Sequence, residues 1–195
     1  MDQEQNLGAI ADASETETPH AGEAGIVVRA QKADLIPAGI IERLESYSAL
    51  QPWHRQMRDW LGVHEVAGGA ANPLIAAMHA LTTLKATSDE VPWCSSAMCK
   101  ALYDAGYNHT SSAAAVSWSR YGKPLGNLQV GAIVVLKREG GHHVGLAECW
   151  GEKIVWLIGG NQGDAVTVAP FNRARIVALR WPDSALNIKT RRQII

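Results

Sequence analysis

The chain has 195 residues, of which 47% are hydrophobic and 19% are charged. This is the composition of a globular protein, and it excludes a fully disordered chain, a collagen and a coiled coil. No run of 18 or more apolar residues occurs and no signal-peptide pattern opens the sequence, so neither a membrane span nor a leader is expected. Three cysteines are too few for a disulfide-stapled scaffold and indicate synthesis in a reducing compartment.

The formal net charge of −1 is unevenly distributed along the chain. Residues 1–25 contain six acids and no Lys or Arg, which leaves 18 basic against 13 acidic residues in the remainder. A body of that sign favours encounter with an anionic polymer, such as nucleic acid or the bacterial cell wall. No nucleic-acid partner is expected, because no basic stripe or nucleic-acid-binding motif accompanies the excess charge.

Composition divides the chain into four segments. Residues 1–30 are acidic and have little apolar periodicity, which predicts a flexible tail, although Ile26–Val28 could add an edge strand or dock to a partner. Residues 31–51 predict a helical extension of unknown role. Residues 52–183 form the main domain, and residues 184–195 form a loose basic end.

The main domain begins with a helical pattern and continues with a strand pattern. A helix is expected over Pro52–Gly62, with Trp53, Met57, Trp60 and Leu61 on its buried face. Further helices are expected from Asn72-Pro73, from Cys94 to Gly106 and from Ser111 to Tyr121. About five strands follow, at Gly131–Leu136, His143–Trp150, Lys153–Ile158, Ala165–Ala169 and Arg175–Trp181. Helices followed by an antiparallel sheet predict an α+β fold.

Cys94 is the first candidate for chemistry. It opens a predicted helix after Pro92-Trp93, and a thiol at a helix N-terminus is expected to have a lowered pKa. Cys99 lies about 140° further round the helix and roughly 8 Å away, too far for a disulfide. Cys99 and Cys149 are interpreted as small core residues.

His143 is the second candidate. On its predicted strand it shares a face with Gly145, Ala147 and Cys149, whose small side chains would let a helix approach closely. If the Cys94 helix packs on that face, the imidazole can serve as a general base for the thiol. His142 points to the opposite face. No metal-ligand spacing accompanies the two histidines, so no zinc site and no other cofactor are expected.

Asn161, in Leu157-Ile-Gly-Gly-Asn-Gln162, is the third candidate, because a catalytic histidine needs a partner that fixes its tautomer. A two-residue turn in the hairpin pairs His143 with Gly160, whereas one extra residue or a bulge pairs it with Asn161. Gln162 and Glu148 are the alternatives for this role.

The order of cysteine, histidine and polar residue resembles the papain-like peptidoglycan hydrolases of the NlpC and CHAP type, and most closely a phage and bacterial subgroup. The resemblance covers about Pro52 to Pro182. It rests on eight fragments: Trp60-Leu-Gly-Val-His-Glu65; Gly69 with Asn72-Pro73; Val91-Pro-Trp-Cys-Ser95; Ala105-Gly-Tyr107; Ser117-Trp118 with Tyr121-Gly122; Gly131-Ala-Ile-Val-Val135; His143-Val-Gly145; and Gly159-Gly-Asn-Gln162. Met98, where the family usually has an aromatic residue, and the additional His142 depart from the pattern.

This resemblance implies a papain-like fold and a peptidoglycan hydrolase, either an N-acetylmuramoyl-L-alanine amidase or a stem-peptide endopeptidase. It implies that Cys94 forms a thioester, that His143 is the acid and base, and that Asn161 orients the imidazole. Glu65 matches a position near the family's cleft and is expected to contact substrate, although a helix cap or a surface charge is equally compatible. The other residues expected to bind substrate are Trp93, Trp118 and Gln162, with core packing the alternative for the two tryptophans.

The biological setting expected from the resemblance is a phage endolysin, a virion-borne lysin or an antibacterial effector. Such a protein is made in the cytoplasm and acts in the periplasm or cell wall after delivery by a holin, a virion or a secretion machine. Its partner is peptidoglycan, with virion or secretion components as further partners of residues 1–50. The alternatives are a cysteine protease or acyltransferase acting on proteins, and a structural phage protein that retains the fold.

Overall fold

In the described part of the chain, three α-helices come first and a six-stranded sheet follows. The computed structural model describes residues 49–68 and 71–183, so the predictions for residues 1–30, for nearly all of 31–51 and for 184–195 lie outside the described part. The helices are α1 (Pro52–Asp59), α2 (Pro73–Ala80) and α3 (Cys94–Asp104). A 3₁₀ helix at Ala115–Arg120 replaces the helix predicted over Ser111–Tyr121, and Ser111 itself has a left-handed φ of 53°.

The sheet is antiparallel, with the spatial order β1-β6-β2-β3-β4-β5. Its strands are β1 (Lys123–Pro124), β2 (Ile133–Arg138), β3 (Gly141–Trp150), β4 (Ile154–Gly159), β5 (Thr167–Asn172) and β6 (Ile176–Trp181). The expected mixed α+β class is therefore confirmed. The prediction of about five strands missed β1, whose two residues are too few to give an alternating pattern.

The ends of the helices follow from local sequence. Pro52 and Pro73 occupy first-turn positions, where a missing N–H costs nothing, and the Asn72 side chain accepts a hydrogen bond from the Leu74 amide. Helix α1 buries Trp53 and Met57, as predicted. Leu61 is 39% exposed, contrary to expectation, because α1 ends at Asp59 and the chain has already turned away from the core.

The sheet carries an apolar cluster on each face. One cluster lies between the sheet and the helices, where Cys94, Ala97 and Met98 of α3 pack with Val144 and Leu146 of β3. The other cluster contains Ala132, Val134, Leu136, Ala147, Val155 and Leu157. In the described ranges, no helix is long and apolar enough to cross a membrane.

Helix α3 therefore packs on the face of Val144 and Leu146, and the expectation that it packs against Gly145 and Ala147 is wrong. The small residue that permits its close approach is Gly160. A Cβ at Gly160 would lie 2.4 Å from the Trp93 ring and 2.8 Å from the Ala97 side chain. Gly160 is therefore required for α3 to pack this closely at Trp93, the residue before Cys94.

Glu148 anchors α1 to the sheet. A register shift between Ala147 and Cys149 marks a bulge at Glu148, whose carboxylate is 2% exposed and lies among α1 side chains. His54 Nε2 donates to Glu148 Oε1 at 2.8 Å, and the Arg58 guanidinium donates to both carboxylate oxygens. Burial raises the pKa of Glu148, but His54 and Arg58 outweigh that effect and lower it to about 2.

Glu148→Ala is expected to destabilise the protein by about 3 kcal/mol, because it leaves the buried His54 and Arg58 without their shared acceptor. The lowered pKa means that the wild-type ion pairs contribute fully above the ordinary carboxyl range and are lost as the pH falls towards about 2. Urea unfolding at pH 7 and at pH 3 measures both effects. The matched control is Glu152→Ala in the exposed β3–β4 turn, and equal losses for the two variants would contradict the anchoring role.

Gly160→Ala is expected to cost about 1–3 kcal/mol and to displace α3, because the new methyl group overlaps Trp93 and Ala97. Gly151→Ala is the control, since a Cβ there meets nothing within 4 Å and the backbone is not left-handed. Thermal unfolding of both variants tests the packing. A Gly160→Ala protein as stable as Gly151→Ala would show that α3 does not need this close approach.

Candidate functional site

The thiol of Cys94 sits at the N-terminus of α3. Trp93 is the N-cap residue of α3 and makes no side-chain capping bond, so it supplies no side-chain acceptor for the first amides of the helix. The backbone amides of Val144, Ser95 and Cys94 all act to lower the pKa of the thiol. The Cys94 side chain is only 4% exposed.

Burial dominates the acidity of Cys94. Desolvation raises its pKa, and the Val144 amide and the charge of Arg138 offset that rise only in part. The expectation that the helix terminus lowers the pKa is therefore wrong for the free protein. The amides act in the expected direction, but removing the thiolate from water costs more than they supply.

The position of Val144 on β3 leaves its amide free of the β3–β4 ladder. The β3–β4 ladder runs from Trp150 opposite Val155 to Leu146 opposite Ile158, so Val144 lies beyond the last pair. Its carbonyl oxygen faces Gly159, and the N–H and C=O of one strand residue point to the same side. The Val144 amide therefore points to the side on which β4 would continue, and it lowers the pKa of the Cys94 thiol.

His143 precedes Val144 and is held by Gln162. The hydrogen bonds of Gln162 determine which atom of its amide group faces the imidazole. Gln162 Nε2 donates to the carbonyls of Leu157 and Thr167, so its Oε1 faces His143 Nε2 at 2.9 Å. Because an amide oxygen only accepts, the neutral imidazole carries its proton on Nε2, and Nδ1 is left as the basic nitrogen.

The environment of His143 keeps it neutral. It is 5% exposed, and burial lowers its pKa, an effect that the Gln162 hydrogen bond opposes and that the charges of Arg138 and Arg175 reinforce. The His143 ring stacks on the Phe171 ring with centroids 5.3 Å apart. The Arg175 guanidinium lies over the Phe171 ring, with its Cζ 5.8 Å from the ring centroid. Sequence reasoning missed this stack, although Phe171 is the only phenylalanine in the chain.

Asn161 does not contact His143, so the expected orienting bond is wrong. The bulge at Glu148 would bring position 161 opposite 143 if β4 continued, but β4 ends at Gly159 and Asn161 has a left-handed φ of 57°. Asn161 Nδ2 instead donates to Glu65 Oε1 at 2.9 Å. Gln162, the next residue, takes the contact with the imidazole.

Glu65 and the two tryptophans have structural contacts. Glu65 Oε1 accepts from both Asn161 and Trp93 Nε1, the latter at 2.8 Å, and so joins the α1–α2 loop, the start of α3 and the β4–β5 loop. Trp93 and Trp118 are fully buried, and Trp118 Nε1 donates to Ser95 Oγ. The two tryptophans are therefore core residues, and this arrangement does not support the expectation that they contact substrate.

A groove of about 260 Å³ opens beside the thiol. It is lined by Pro92, Cys94, the segment Ala113–Val116, Arg138 and the segment Gly140–His142. His142, which was expected to point away from Cys94, therefore lines the groove with it, whereas His143 is not among the lining residues and contacts Gln162 and Phe171. Within residues 49–68 and 71–183, no group of three or more His, Cys, Asp or Glu side chains could hold a metal ion.

Comparisons with known proteins add no family to this description. No protein-family model matches the chain, and no curated protein matches it. The arrangement of Cys94, His143 and Gln162 therefore has to be interpreted from its own geometry, within an α+β fold whose six-stranded sheet is antiparallel.

Proposed function

We propose that this protein is a cysteine-dependent amidase or endopeptidase that cleaves an amide bond of peptidoglycan, with a papain-like arrangement of its site. The observation that carries the proposal is the Gln162 amide, whose fixed orientation leaves Nδ1 as the basic nitrogen of His143. His143 directly precedes Val144, whose amide lowers the pKa of the Cys94 thiol. A fixed tautomer next to a cysteine at a helix N-terminus is the requirement for nucleophilic acyl transfer.

The reaction follows from these groups. His143 Nδ1 accepts the thiol proton, and the sulfur of Cys94 forms a bond to the carbonyl carbon of the scissile amide. The imidazolium returns the proton to the amine as the C–N bond breaks, which leaves a thioester on Cys94. His143 then takes a proton from water, the hydroxide attacks the thioester, and the carboxylic acid leaves with the thiol restored.

The amides around the thiol supply stabilisation during the reaction. The N–H groups of Cys94 and Ser95 are at the uncapped start of α3, where the helix dipole is positive. When the sulfur moves towards substrate, these donors can bind the oxyanion of the tetrahedral intermediate. The raised pKa of Cys94 is consistent with a thiol that loses its proton only as the substrate arrives.

The choice of peptidoglycan as the substrate rests on the sequence resemblance and on the excess of positive charge after residue 25. The delivery route is proposed on the same resemblance. An endolysin, a virion-borne lysin or an antibacterial effector, made in the cytoplasm and delivered to the wall, fits that substrate. Residues 1–50 are proposed to meet virion or secretion components. No cofactor is required by the chemistry above.

Cys94→Ala is expected to reduce hydrolysis of purified sacculi by at least about 10³-fold, because the nucleophile is lost. Release of soluble muropeptides, followed by mass spectrometry, measures the rate and identifies the bond that is cut. Cys99→Ala and Cys149→Ala are matched controls that remove buried thiols remote from the groove. Full activity of Cys94→Ala, or activity against casein and not against sacculi, would contradict the proposal.

His143→Ala is expected to reduce the rate by about 10²–10⁴-fold, whereas His142→Ala is expected to retain most activity. The reason is that only His143 has a bond that fixes its tautomer. The two variants are controls for each other, since the histidines are adjacent on β3 and only His142 lines the groove that contains Cys94. An inactive His142→Ala with an active His143→Ala would transfer the general base to the residue that lines the groove.

The acid limb of kcat/KM is expected to lie below pH 6.5, because burial lowers the pKa of His143 and keeps the base neutral to lower pH than a free imidazole. Gln162→Ala should move the limb further down, since the Gln162 bond raises that pKa. A pH–rate profile on a soluble muropeptide measures both. A limb above pH 6.5 in the wild type would contradict a buried, neutral base.

A further inference from the structure

A second groove adjoins the one that contains the thiol. It has a volume of about 530 Å³ and is lined by Lys137, Arg138, Glu139, Ala174, Arg175 and Val177. Three of these side chains are cationic and one is a carboxylate, so the lining has an excess of positive charge. The groove lies where the β2–β3 turn meets the 3₁₀ helix Arg173–Arg175.

Arg138 belongs to both grooves. It lines the space beside Cys94 and also the second groove, so the two grooves share its side chain. Its charge reaches Cys94, whose pKa it lowers, and His143. Arg138 is exposed, and among residues 49–68 and 71–183 no carboxylate forms an ion pair with it.

Arg175 is held in place on the opposite wall. Its Nε donates to the Lys137 carbonyl at 2.8 Å, and its guanidinium lies over Phe171, which stacks on His143. The position of this guanidinium is therefore fixed relative to the imidazole, while its terminal nitrogens remain available as donors. Arg175, with its fixed guanidinium, and Arg138, with no ion-pair partner among the described residues, together suit a planar anion with two oxygen atoms.

We propose that Arg138 and Arg175 form a carboxylate-binding subsite, and that the substrate is an acidic peptide whose carboxylate lies next to the scissile amide. This inference rests on the proposed function and specifies its substrate. Stem peptides of peptidoglycan carry free or amidated carboxyl groups, so the subsite distinguishes two forms of the same wall. Glu139 in the lining would disfavour a second negative charge further along the groove.

The test compares two soluble muropeptides that differ only in whether the D-glutamyl α-carboxyl group is free or amidated. Wild type is expected to cleave the free acid with a kcat/KM about 10-fold higher, the range of a charge-assisted hydrogen bond. Arg138→Gln should bring the ratio close to one, and Arg138→Lys should keep part of the preference as a point charge. The control is Lys123→Gln, in exposed β1 at the far end of β6, which should leave the ratio unchanged.

The outcomes separate this subsite from an effect on the thiol and from failure of the proposed function. If Arg138→Gln slows both muropeptides equally and shifts the pH dependence of Cys94 alkylation, Arg138 supports the thiolate and the subsite is refuted. Equal wild-type rates on both substrates would also refute it, while leaving the hydrolase intact. Absence of hydrolysis of either muropeptide by wild type would overturn the hydrolase and the subsite together.

Discussion

The β3–β4 ladder ends where Leu146 pairs with Ile158, so the earlier residues of β3, His143 and Val144 among them, have no ladder partner on that side. The Val144 amide acts on the buried Cys94 thiol and lowers its pKa, although burial outweighs that effect. The same departure of β4 turns Asn161 towards Glu65 and brings Gln162 back onto His143. The proposed base and its orienting amide are thus held where β3 and β4 separate, and the amide that follows His143 acts on the proposed nucleophile.

Two opposing effects set the electrostatics of this gap. Backbone amides and Arg138 favour a thiolate, whereas burial favours the neutral thiol, and burial prevails in the free protein. His143 is neutral for the same reason, and its remaining basic nitrogen is defined by hydrogen bonding instead of by charge. In the proposed reaction, such a site holds its proton on sulfur until substrate excludes water and supplies the developing oxyanion.

The sequence was most informative where a residue's role depends on its immediate neighbours. Cys94 at a helix start, the helix starts at Pro52 and Pro73, and the strand that carries His143 could all be predicted because caps, prolines and alternation act over a few residues. The burial of Cys99 and Cys149 was predicted correctly as well.

The errors concern contacts that depend on register or on distant packing. The choice of Gln162 over Asn161 follows from a bulge at Glu148 and a left-handed residue after β4, neither of which the hairpin sequence specifies. The packing face of α3 was mistaken because Gly145 and Gly160 are equally small, and only the fold shows which one meets Trp93. The stack of Arg175, Phe171 and His143 joins β3 to the end of β5, a contact that alternation along one strand cannot reveal.

The bond between Glu65 and Asn161 has a consequence for biosynthesis, because it joins residues that are 96 positions apart. The His54–Glu148 pair spans 94 residues, and the Trp53 indole donates to the Gly131 carbonyl across 78. Contacts of such long range fold slowly, and the helices leave the ribosome long before the strands that complete them. The cysteine is therefore synthesised early but acquires its histidine and its amide partner only when most of the chain is made. A nascent or truncated product would carry the proposed nucleophile without the residues proposed to activate it, so the proposed activity would begin only when the sheet is complete.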